Sequence, residues 1–97
     1  MVKHIVMWNI KEGLDKTETI AKLKATLEAL PAKIDFLIKA ELGVNYTCNE
    51  TGRDVVLYSE VATKEDLEAY LVHPDHKEAG LYVKSVVCDR IDVDYEI

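Results

Sequence analysis

The stretch VKHIVMWNI, residues 2–10, alternates strictly and is apolar on both sides. Val2, His4, Val6, Trp8 and Ile10 share one face; Lys3, Ile5, Met7 and Asn9 share the other. Period-two spacing in β-branched company reads as a strand. A strand of a sheet with one solvated face would alternate apolar with polar residues. Here Ile5 and Met7 need cover as much as Val6 and Trp8 do. The fold must therefore place something on each side of this strand.

The rest of the chain supplies cover for only one side. Asp15 and Glu18 form a D-x-x-E cap, and Ile20, Leu23, Leu27 and Leu30 then recur at helical spacing until Pro31. Residues 36–46 alternate Phe36, Ile38, Ala40, Leu42 and Val44 against Leu37, Lys39, Glu41, Gly43 and Asn45. A polar turn, CNETGR, leads into a returning strand over 54–62, so 36–62 reads as a hairpin. Thr63 and Asp66 cap a second helix, which Pro74 interrupts and restarts at a new angle, with Gly80 weakening the second piece. The last strand puts Val87, Ile91, Val93, Tyr95 and Ile97 opposite Cys88, Arg90, Asp92 and Asp94.

Strand, helix, strand, strand, helix, strand is the split βαβ order. The expected fold class is α+β and ferredoxin-like, a four-stranded antiparallel sheet with both helices on one side. The second sheet face is left bare, and a second copy packed sheet to sheet would cover it. A homodimer is therefore expected, closing a dimeric α/β barrel.

Length and charge narrow the function. Ninety-seven residues fit one domain, 1–97. A formal charge of −6 without a dense basic cluster argues against nucleic acid and against an anionic membrane surface. The apolar run Ile5–Trp8 is too short for a signal peptide or a span, which implies a cytoplasmic protein. Cys48 and Cys88, forty residues apart without a CxxC, read as free thiols in that compartment.

The segment YLVHPDH, residues 70–76, concentrates the candidate chemistry. With VKHIVMWNIKEG at one end and the run from Tyr70 to Asp94-Tyr95 at the other, the chain resembles the stress-responsive dimeric α/β-barrel (Dabb) family along essentially its whole length. The resemblance implies the same barrel-like dimer. The family includes plant stress-induced proteins and olivetolic acid cyclase, which performs an aldol condensation without metal or organic cofactor. By that resemblance Tyr70 and His76 correspond to an acid/base pair, and His4 and His73 match further histidines. A third-strand histidine of the cyclase is replaced by Val55.

Residue chemistry permits such a pair. His76 falls in the first turn of the restarted helix, where the dipole disfavours an imidazolium. A neutral imidazole could serve as general base at an acidic carbon, with Tyr70 donating to the developing enolate. The competing reading has His73 capping the helix and His76 bonded to backbone or solvent. A metal held by His73, His76 and Asp75 or His4 lacks a fourth ligand at recognised spacing. His4 and Trp8 are core residues or, if their face lines the barrel interior, ligand-binding ones. Cys88 has no activating neighbour in sequence, and no phosphate loop or G-x-S-x-G is present. No cofactor is expected. The function expected is binding of a small carbonyl or aromatic compound, with cofactor-free acid/base chemistry. A stress-protective oligomer and, by fold analogy, a cofactor-independent monooxygenase are the rivals.

Overall fold

The computed structural model describes residues 1–47 and 49–97. Cys48, with its expected place at the start of the hairpin turn and any pairing with Cys88, lies outside them. The elements run β1 (Val2–Ile10), α1 (Lys16–Glu28), α2 (Leu30–Lys33), β2 (Leu37–Val44), β3 (Val55–Val61), α3 (Lys64–Leu71), α4 (Pro74–Val86) and β4 (Val87–Glu96). The four strands form one antiparallel sheet in the order β2-β3-β1-β4. This is the ferredoxin-like α+β arrangement expected from the element order.

Helix ends follow the caps written in the sequence. Asp15 Oδ1 accepts from Glu18 N at 2.9 Å, and Thr63 Oγ1 accepts from Asp66 N at 3.1 Å. Pro31 does not abolish helical structure; it lies in the first turn of the short α2, which follows α1 after Ala29. At the second break His73 is the cap of α4, its Nδ1 accepting from Asp75 N at 3.1 Å, and Pro74 takes the position where a missing N–H costs nothing.

The helices bury one face of the sheet. Val2, Val6, Trp8 and Ile10 of β1 join Val55, Leu57 and Val61 of β3 beneath Leu23, Leu27, Leu30 and Ile34. Burying such side chains stabilises the fold by roughly 1.5–3 kcal/mol each. The other face remains uncovered by this chain, with Met7, Ile91, Val93 and Tyr95 exposed.

Two strands depart from simple alternation, both at bulges. A register shift between Leu37 and Lys39 sends Leu37 into the core and leaves Ile38 exposed, so Ile38 does not share a buried face with Leu42. In β4, Val87 is buried opposite Ile10, whereas Ile91, Val93 and Tyr95 lie on the bare face. An extra residue in β4 at the bulge reverses the alternation between them.

Candidate functional site

The break between α3 and α4 brings three ring systems together over the centre of the sheet. Tyr70, in the last turn of α3, is fully buried, with its ring centroid 4.4 Å from that of His76 in the first turn of α4. His4, on the covered face of β1, meets the edge of Tyr70 at 6.2 Å. Ser59 sits across from His4 on β3 and is equally buried. Pairing β1 with β4 sets Asp94 beside His4, and its carboxylate contacts His4 Nδ1. This contact fixes one ring nitrogen of His4.

Three polar atoms in this cluster are buried without completing a hydrogen bond among the described residues: Ser59 Oγ, Tyr70 Oη and His76 Nδ1. Buried polar groups are nearly always paired, and leaving one unpaired costs about 1–3 kcal/mol. His76 borders an apolar cavity of about 460 Å³ between the sheet, α1, α3 and α4, which Ser59 and Tyr70 do not line. Val6, Trp8, Leu27, Leu57 and Val83 form its wall, His4 and His76 border it, and exposed Lys84, Asp89 and Arg90 stand at its mouth.

Burial sets the protonation of the two central groups in a useful direction. It pushes the Tyr70 phenol up to about 12, offset in part by the neighbouring Ser59 hydroxyl. The phenol therefore stays a proton donor at neutral pH. Burial lowers the His76 pKa below its ordinary value, against an opposing hydrogen bond to the Leu71 backbone, and the charges of His4, Arg90 and His73 add to the lowering. A neutral imidazole at pH 7 is free to accept a proton.

The candidate residues named from sequence are thus divided. His4, Trp8 and His76 border the cavity, and Tyr70 stands directly behind the two histidines. His73 is not brought there: it caps α4 and packs against Phe36 at 6.1 Å. Among the described residues no group of three His, Cys, Asp or Glu side chains converges as a metal would require. Cys88 borders the mouth, but desolvation and the Asp89 carboxylate push its thiol up, away from a reactive thiolate. Sequence reading missed Asp94 and Ser59 as members of the cluster. Their signal was strand register, which pairs both with His4 and is invisible until the sheet order is known.

Residues 2–97 match the family model described as the stress responsive A/B barrel domain, Dabb. A stress-response A/B barrel domain-containing protein of Arabidopsis thaliana is 30% identical over 91 residues, 94% of this chain. The chain spans about a third, 34%, of that relative's length. Among solved structures, a dimeric protein of ferredoxin-like fold from Bacteroides fragilis superposes with a TM-score of 0.82 at 35% identity, covering 99% of this chain and 95% of its own. A hydroxynitrile lyase from Passiflora edulis has a TM-score of 0.87 over 99% of this chain and 92% of its own. Its 17% identity makes that a likeness of fold alone.

Proposed function

The chain belongs to the stress-responsive A/B barrel domain family, and from that premise we propose that its cavity binds a small apolar carbonyl or aromatic compound. His76 acts there as general base and Tyr70 as proton donor. The observation that carries this reading is His76 on the wall of an apolar cavity, its Nδ1 buried without a completed hydrogen bond among the described residues and the Tyr70 ring packed against it. A folded protein gains nothing from keeping such an atom unsatisfied, and a bound molecule would supply the missing partner.

The chemistry follows from the two shifted groups. Neutral His76 takes a proton from the carbon next to a carbonyl. The negative charge that develops on the carbonyl oxygen is met by a hydrogen bond from Tyr70, whose phenol keeps its proton throughout. No cofactor is needed for either step. Carbon–carbon bond making or breaking beside a carbonyl has the same requirements, so the lyase of like fold is compatible with this reading without establishing it.

A second copy of the chain covers the bare sheet face in the same proposal. Met7, Ile91, Val93 and Tyr95 form a contiguous apolar patch that water would otherwise meet, and the Bacteroides fragilis protein is described as dimeric.

The test is a crystal structure of protein purified directly from cells, with its bound molecules identified by mass spectrometry. A small apolar molecule beside His76, with an oxygen within hydrogen-bond reach of Tyr70 or His76, is the expected result. A cavity closed by side chains, with no molecule beside His76, would refute the proposal.

A further inference from the structure

The mouth of the cavity is shaped by the bulge in β4. Between the pairs Met7–Ile91 and Asn9–Cys88, a single β1 residue, Trp8, faces both Asp89 and Arg90. Asp89 has φ 55°, a left-handed backbone uncommon outside glycine, asparagine and aspartate. Asn9 Nδ2 donates to its carboxylate at 3.0 Å, and Arg53 Nε donates to its carbonyl at 2.8 Å. Successive residues of a regular strand point to opposite faces. Here Cys88, Asp89 and Arg90 all border the cavity, because the bulge turns the strand within one residue.

That turn brings Arg90 to the same opening as Lys84, from the last turn of α4. Asp89 is already engaged by Asn9 and by the Cys88 thiol. Arg90 shares one terminal nitrogen with Asp92, leaving the remaining donors of its fork. Lys84 makes no ion pair among the described residues. The chain carries a net charge of −6, so two cations at the rim of an apolar cavity are not part of a basic surface.

We propose that the cavity selects amphipathic carboxylates, with the apolar body against Trp8, Leu27 and Val83 and the carboxylate at the mouth between Lys84 and Arg90. This rests on the cavity's role as a ligand site and adds the class of molecule. The planar fork of Arg90 suits a carboxylate, and Lys84 supplies a movable second charge. A carboxylate at the mouth would also screen the cationic charge that bears on His76.

Octanoate and its neutral counterpart octanamide test this directly, since they differ in charge and scarcely in shape. Titrations at neutral pH and low salt compare the wild type with a Lys84→Met/Arg90→Gln variant, changed only at exposed positions. The inference expects octanoate to bind about three- to tenfold more tightly than octanamide in the wild type. The preference shrinks with added salt and vanishes in the variant. NMR should show the His76 pKa rising with octanoate and not with octanamide. Equal affinities, with both compounds shifting the Trp8 and His76 resonances, would overturn the carboxylate inference and leave the cavity reading intact. A preference that survives in the variant would overturn it as well. If neither compound moves those resonances, the cavity reading fails, and this inference with it.

Discussion

The two faces of the sheet invert what burial would ordinarily dictate. On the bare face the central polar groups are paired: Lys3 and the Tyr58 hydroxyl both engage the Glu60 carboxylate, and Lys3 and Lys39 lie over the Tyr58 ring. On the face covered by helices, Ser59, Tyr70 and His76 keep polar atoms without a completed hydrogen bond among the described residues. Unpaired atoms are cheap beside water and expensive inside. The proposed function places chemistry on the covered face and assembly on the bare one, where apolar Met7, Ile91, Val93 and Tyr95 surround the paired network.

The sharpest way to break this contrast is a charge on the bare face. Val93→Asp should weaken self-association by about 10²–10⁴-fold, because burying an unpaired charge costs about 3–5 kcal/mol. Sedimentation velocity checks it, and an unchanged mass would remove the assembly role. On the sealed face Leu23, which has 0% exposure, should lose about 2–5 kcal/mol of folding stability on Leu23→Ala. Ile91→Ala should cost far less when measured in the Val93→Asp background, since its side chain is then half in water.

Tyr70→Phe separates function from stability. Removing a buried hydroxyl that completes no hydrogen bond among the described residues should leave denaturant stability unchanged or raise it by up to about 1–3 kcal/mol. Proton-transfer activity should fall at the same time. A clear loss of stability would mean that the hydroxyl is satisfied in solution.

His76 gives the contrast a pH dependence. Its folded pKa lies below the ordinary 6.5, so below about pH 6.5 the unfolded chain takes up a proton that the folded chain refuses. Stability is therefore fully present above that pH and falls as pH drops toward the folded value. Melts at about pH 7.5 and 5.5 should show a smaller loss for His76→Gln than for the wild type; an equal loss would contradict the lowered pKa.

Gly80 gives the smallest effect. It lies inside α4, borders the cavity, and a Cβ built there meets nothing within 4 Å. Gly80→Ala should stabilise the fold by about 0.5–1 kcal/mol in thermal or denaturant melts. A loss instead would mean that the space beside it is filled.

Much of the fold was legible because local rules decided it. The caps at Asp15 and Thr63, the break at Pro74 and the two-faced β1 are properties of neighbouring residues, and each appears as read. Pattern reading failed at Ile38 and Val87, where bulges add a residue and flip the face of the rest of the strand. Period-two alternation cannot register such a step. The site was legible in part for the same reason. Tyr70 and His76 lie six residues apart across a readable break, while Asp94 and Ser59 join them only through pairings between distant strands. His73 matches the family pattern, yet the helix start that Pro74 creates claims its ring as a cap.

The central claim is that a neutral His76 takes a proton from carbon inside this cavity. Deuterium uptake by 2-octanone, followed by NMR at the carbons flanking its carbonyl, measures that step alone. The account predicts that the wild type accelerates uptake and that His76→Ala slows it by about 10²–10⁴-fold while still binding the ketone beside Trp8. Equal uptake by the two proteins, with the ketone bound in both, would contradict it.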